Sequence, residues 1–192
     1  MNELSFYLAE GIRHITDPKG FDHMLFVVTL CSFYQLNEIK KILILVTAFT
    51  IGHSVTLALS SLDIIRVNQT AVELLIPITI FLTSMFNITA KQKINSKFGL
   101  NYLLALFFGL IHGMGFSNFF RSMMMGIQDG SIALPLFGFN LGIEIGQLTI
   151  VAVFLVLLFV YTNLFKGVHR DWKIFFSGAG AALSISLILN QL

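Results

Sequence analysis

Five stretches of the chain set ionisable side chains among apolar neighbours: "GFDHMLF" (20–26), "FTIGHS" (49–54), "AVELLIP" (71–77), "GLIHGMG" (109–115) and "FNLGIEIG" (139–146). They carry Asp22, His23, His53, Glu73, His112 and Glu144. Neutral imidazoles with carboxylates are the donor set of a divalent first-row metal such as nickel, cobalt or zinc. Cys31 is the only cysteine, which excludes a thiolate cluster and any disulfide within the chain. Three or four histidines also fit poorly with an oxygen-only magnesium site. A serine triad is not served either, because Ser54 directly follows His53 and the two point apart on a helix.

The elements that hold these residues follow from composition. Of 192 residues, 56% are hydrophobic and 11% charged, against about 25% charged in a soluble domain. Six apolar segments, roughly 21–36, 42–61, 70–89, 99–120, 138–162 and 173–191, approach the ~20 residues that cross a bilayer; the first is short. The expected fold is an all-α polytopic membrane helix bundle, a single transmembrane domain over 1–192. Residues 1–20 form an outer segment, in which Leu4, Leu8, Gly11 and Ile15 share one face of a short surface-lying helix. The stretch 122–137, broken by Gly126, Gly130 and Pro135, reads as a loop, a re-entrant piece or an early start to the fifth span. Glu3 and Glu10, with no basic stretch before an apolar run, speak against a cleavable signal peptide. No patch suited to nucleic acid is present.

Lys and Arg counts orient the bundle. Lys40, Lys41, Lys91, Lys93, Lys97, Lys166, Arg170 and Lys173 fall on one side, against Arg13, Lys19, Arg66 and Arg121 on the other. The richer side is cytoplasmic, so both termini lie outside. The acids are biased the other way: Glu3, Glu10, Asp17, Asp22, Asp63, Glu73, Asp129 and Glu144 are outer, and only Glu38 and Asp171 inner. A negative outer vestibule concentrates cations.

At a rise of about 1.5 Å per residue, His53 and His112 lie roughly 12 Å below the outer ends of their spans, and Glu144 roughly 9 Å. That agreement in depth points to one site. Asn140, Glu144 and Gln147 share one face of the fifth span, opposite Gly138, Gly142 and Gly146, whose spacing invites a close helix neighbour. The expected ligands are Asp22, His23, His53, His112 and Glu144. Ser54, Glu73, Asn140, Gln147 and His14 support them, as hydrogen-bonding neighbours fix histidine tautomers. The inner halves of the spans hold no ionisable residue, only groups such as Thr29, Ser32, Thr83, Ser84, Asn87 and Thr149.

"GFDHMLFVVTL", "TAFTIGHSVTLALS", "AVELLIPITI", "FGLIHGMGFS" and "FGFNLGIEIGQ", in this order, resemble the HupE/UreJ family of small polytopic membrane proteins over residues 11–150. The resemblance implies nickel or cobalt uptake across a bacterial cytoplasmic membrane, and metal-linked roles for Asp22, His23, His53, His112 and Glu144. It also brings in metalloenzyme-assembly proteins, beside a second copy of the chain, as candidate partners. Nickel permeases carry His-x4-Asp-His; here the spacing from His14 is His-x7-Asp-His, which keeps His14 among the supporting residues.

Two mechanisms fit these residues. In a permease, Asp22 and His23 receive the ion at the outer lip and His53, His112 and Glu144 bind it. In a zinc-dependent intramembrane hydrolase, three protein ligands leave an open position for water, with Glu144 or Asp22 as general base. Its substrate would be a lipid or peptide from the outer leaflet. The resemblance favours the permease.

Overall fold

The computed structural model describes residues 2–90, 98–124 and 132–191. Lys91, Lys93, Lys97, Asp129 and most of the stretch between the fourth and fifth spans lie outside them. The described residues form seven α-helices: α1 (Glu3–Thr16), α2 (Asp22–Ser32), α3 (Ile39–Ser61), α4 (Gln69–Thr89), α5 (Phe98–Met124), α6 (Ala133–Phe159) and α7 (His169–Leu189). Among the described residues, five segments are long and apolar enough to cross a membrane: Leu36–Ser61, Gln69–Thr89, Asn101–Met123, Ala133–Leu164 and His169–Leu189. The residues of 122–137 nearest the spans extend α5 to Met124 and start α6 at Ala133.

The first crossing departs from expectation. α2 has only eleven residues, about 17 Å of helix, against a hydrocarbon core of about 30 Å. Residues 3–15 do not lie on a surface; they form α1, laid into α6. The cause is the glycine stripe. A Cβ on Gly142 would stand 2.2 Å from the Leu8 carbonyl oxygen, and one on Gly11 2.0 Å from that of Phe139. Leu4 meets Gly138, Leu8 meets Gly142 and Ile15 meets Gly146, so α1 runs parallel to α6. α2 continues in that direction, with Val27, Cys31 and Tyr34 clustered with Val151, Leu155 and Leu158 further along α6. The two short helices thus follow one another in the same direction along α6.

The break is local chemistry. The α1 N-cap Asn2 accepts from Ser5 N at 2.8 Å, a preferred start. At the other end Asp17 is extended (φ −66°, ψ 119°), as the residue before Pro18 must be. The Asp17 carboxylate accepts from Lys19 N at 2.9 Å, closing the turn. The chain then re-enters a helix at Asp22.

The other helices pair through small residues. Cβ atoms on Gly109 and Gly113 would stand 2.1 and 2.3 Å from the carbonyl oxygens of Phe49 and His53, which fixes α3 and α5 as a close parallel pair. α7 runs antiparallel to α4, with Gly180 against Ser84 and Thr29, and the Lys173 ammonium donating to the Ala90 carbonyl at 2.8 Å. In the connection between α3 and α4, Asp63 adopts a left-handed backbone (φ 59°) and takes bonds from Arg66 and from Arg121 of α5. The hydrogen bond from Arg66, then that from Arg121, hold its carboxyl well below the usual carboxylate range.

Candidate metal centre

α1, α2, α3 and α5 each bring one imidazole to the same place. His14 stands last but two in α1, beside the break, and His23 is second in α2. His53 and His112 lie where the glycines press α3 and α5 together. His14, His23 and His53 each offer a ring nitrogen within 4.8 Å of the others. The His23 ring centroid is 4.7 Å from that of His14, 6.1 Å from His53 and 5.1 Å from His112. His53 and His112 are wholly buried.

Their hydrogen bonds leave nitrogen lone pairs over. The His23 Nδ1–H donates to Asp22 Oδ1 at 2.9 Å, so Nε2 carries the free lone pair. The Asp22 carboxylate also accepts from His23 N at 2.8 Å. The Thr79 hydroxyl gives its proton to the Ile76 carbonyl at 2.7 Å. Its oxygen, 3.2 Å from His112 Nε2, is therefore an acceptor, and His112 carries its proton on Nε2 with the Nδ1 lone pair free. His14 Nε2, His23 Nε2, both nitrogens of His53 and His112 Nδ1 are buried without a hydrogen-bond partner. Buried polar atoms are otherwise almost always bonded. A metal held about 2.0–2.1 Å from each nitrogen would satisfy them.

The walls distinguish an open from a closed side. A cavity of about 230 Å³ reaches the cluster past Asp17, Asp22, Glu73 and Gln69. Three acids at its lining raise the local cation concentration. Glu73 itself is exposed and bonded by Gln69 at 3.3 Å, so it lines the approach without touching the histidines. On the far side Phe26 stacks on Phe49 at 4.9 Å, and each ring centroid lies 5.1 Å from that of His112. Phe116 covers His14 at 3.7 Å. A larger cavity of about 310 Å³ between α2, α4 and α5 has apolar walls and none of the histidines.

The expected residues divide. His23 and His53 converge, Asp22 orients His23 as a carboxylate behind a ligand, and His112 stands beside His23 with ring centroids 5.1 Å apart but outside the grouped ligand atoms. His14, expected only in support, offers a ligand atom on equal terms with His23 and His53. Glu144 stands apart: its Oε1 accepts from Thr47 Oγ1 at 2.7 Å, and it is not among the grouped ligand atoms of the described residues. Gln147 is bonded by Thr50 at 2.7 Å, and Ser54 turns back to the Thr50 carbonyl. Asn140 faces His53, and its amide donates to the Leu136 carbonyl at 2.8 Å. Thr79 carried no signal in the sequence, since nothing in its spacing marks the residue facing His112. His14 did carry one, the Pro18–Gly20 break between it and Asp22. The site is also deeper than expected. α5 runs on to Met124 and α6 begins at Ala133, which puts His112 roughly 18 Å from the C-terminal end of its helix at 1.5 Å per residue. Thr79, its partner, is the middle residue of α4.

A family profile described as "HupE / UreJ protein" matches residues 1–190. No curated protein and no solved structure matches the chain. The chain belongs to the HupE/UreJ family.

Proposed function

We propose, proceeding from that membership and from the histidine cluster, that this multi-pass membrane protein is a divalent-metal permease of the nickel/cobalt type. The carrying observation is the set of buried, unpartnered nitrogens that His14, His23 and His53 of α1, α2 and α3 bring within 4.8 Å of one another, with the unpartnered Nδ1 of His112 beside them. In this reading the metal is cargo. It is drawn in past Asp17, Asp22 and Glu73 and held by His14, His23 and His53, with His112 Nδ1 as a further donor. A bacterial cytoplasmic membrane is the setting, with both termini outside.

Two features support transport over permanent binding. Known secondary transporters bind near the middle of the bilayer and build the site at broken helices, and here α1 stops and α2 starts at the cluster. The base of the site is side chains alone, Phe26 and Phe49, which change rotamer more readily than a helix moves.

The test pairs two measurements on the full-length protein. Metal content and affinity are measured after purification with nickel, cobalt and zinc. Entrance of the same ions into sealed vesicles is followed with an internal metal indicator. Saturable nickel or cobalt flux, lost in His53→Ala and His23→Ala with folding intact, supports the reading. Zinc retained at one per chain with no flux of any of the three ions would overturn it. The chemistry would then turn to the zinc hydrolase, with Asp22 or Glu144 as base.

A further inference from the structure

We propose a second cation position on the inner side of the histidines, formed by the Glu144 carboxylate with Thr47, Thr50 and Gln147 and reached past Asn140. It rests on the permease reading, and it gives the cargo its next stop.

The placement comes from α3. Thr47 lies six residues before His53 on that helix, about 9 Å nearer its inner end at 1.5 Å per residue. The Glu144 side chain reaches to that level, since its Oε1 is bonded by Thr47 Oγ1 at 2.7 Å. The carboxylate is therefore not an outer ligand of the histidine site. It is an ionisable group on the far side, between α3 and α6.

The chemistry is incomplete without a ligand. Glu144 Oε2 is buried and has no hydrogen-bond partner, and no described ion pair involves Glu144. A carboxylate in an apolar setting is neutralised by a proton or compensated by a cation. The neighbours supply oxygen donors. Thr50 Oγ1 has two acceptors in reach, Gln147 Oε1 at 2.7 Å and the Val46 carbonyl at 3.2 Å. If the Gln147 amide turns over, Thr50 bonds Val46 and the amide oxygen becomes free for an ion. The turn gives up the Thr50–Gln147 Oε1 bond, which Thr50 replaces with the Val46 carbonyl, and brings the now unpartnered Nε2 round to the Thr50 hydroxyl oxygen.

The position is also connected. Asn140 Oδ1 is a buried acceptor that faces the His53 ring. Glu144 follows one helical turn later on the same face, and Gln147 one turn after that. An oxygen-rich position binds a first-row ion more weakly than an imidazole cluster does. That order suits a step that must release the ion inward.

Nickel binding is titrated on the full-length protein, wild type against Glu144→Gln, which keeps the shape and an oxygen for Thr47. The wild type takes two Ni²⁺ per chain, one tight and one weak. Glu144→Gln takes only the tight one and slows nickel entrance into vesicles about tenfold or more, the scale expected when a metal-site group is lost. One equivalent in both proteins, or unaltered flux in Glu144→Gln, overturns the proposal. Loss of both equivalents in a folded Glu144→Gln protein also overturns it, because Glu144 would then belong to the histidine site. Should Glu144→Gln not fold, Thr47→Val decides: a weakened second step supports the proposal and an unchanged one refutes it. If the wild type binds two ions but moves none, only the permease reading falls. The stoichiometry still stands or fails by the variants.

Discussion

Gly11→Ala is the sharpest test of how the site is assembled, because it adds one methyl group whose nearest atoms are α6 backbone and not an imidazole. The new Cβ would lie 2.0 Å from the Phe139 carbonyl oxygen and 3.0 Å from Ile143 N. Both are backbone atoms of α6 and cannot swing aside. A carbon–oxygen contact relaxes at about 3.3 Å, so α1 must back away from α6 by roughly 1.3 Å. Metal–nitrogen distances hold to within about 0.2 Å. The displacement is several times that, and His14, one turn from Gly11 on the same helix, leaves coordination distance while His23 and His53 stay. Overpacking of this kind costs about 1–3 kcal/mol in stability. The loss of a positioned group at a metal site weakens binding about 10–100-fold. The assay is nickel affinity by competition against a chromophoric chelator, beside thermal unfolding. The control is Gly178→Ala in α7, where an added Cβ meets nothing within 4 Å; it leaves affinity unchanged and gains about 0.5–1 kcal/mol from helix preference. Wild-type affinity in Gly11→Ala, with affinity lost in His14→Ala, would refute the packing argument. Wild-type affinity in both would refute His14 as a ligand.

Further outcomes follow from single contacts. Asp22→Asn removes the carboxylate that fixes the His23 tautomer and is expected to weaken metal binding about 10–100-fold with little effect on melting, read by the same competition assay. Thr79→Val deprives His112 Nε2–H of its acceptor; ¹⁵N shifts of the His112 ring then show a changed tautomer balance, and Thr79→Ser restores the original pattern. Gly180→Ala drives a Cβ to 2.5 Å from Thr29 Oγ1 and 2.7 Å from Ser84 Oγ. It should lower the melting temperature while nickel affinity stays at the wild-type value, since no histidine touches that seam. The Asp63 carboxyl is held low by Arg66 and Arg121, so its contribution is present above the ordinary aspartate value of about 3.9 and is lost only as pH falls through its lower folded value. The stabilising effect of Arg121 over Arg121→Ala, followed by thermal unfolding, should therefore be level from neutral pH down to about pH 5 and fade in stronger acid.

Most of the architecture is legible in the residues because membrane spans are written in long apolar runs. Segments near 42–61, 70–89 and 173–191 match α3, α4 and α7 within a few residues. The first crossing was not legible, for a physical reason. α1 is amphipathic with a weak apolar stripe, and such a helix on a surface and such a helix in a glycine groove have the same periodicity. What separates them is the partner: Gly138, Gly142 and Gly146 were visible as a groove, but nothing marked α1 as its occupant. The site divides the same way. His23, His53 and His112 stood out because imidazoles in apolar runs are rare. Glu144 stood out for the same reason, yet its side chain spans a helical turn, and the depth of its Cα misplaced its carboxylate.

The break between α1 and α2 explains why the site needs the unusual stretch 17–21. His14 and His23 are nine residues apart, about 13.5 Å along one unbroken helix, and no ion bridges that distance. A hairpin would bring them together but would reverse α2 against α6 and take Val27 and Cys31 away from Val151, Leu155 and Leu158. Pro18 and Gly20 do neither. They stop α1, shift the chain sideways across the cluster and restart it in the same direction, so the ring centroids come to 4.7 Å while the direction along α6 is kept. The extra residues of His-x7-Asp-His are thus the length needed for that sidestep. A shorter stretch that continued as helix would remove His14 from the ion. A deletion of Lys19 and Gly20 should therefore cost metal affinity as His14→Ala does, in a protein that still folds. Unchanged affinity in that deletion would mean that the sidestep serves the helix packing and not the metal.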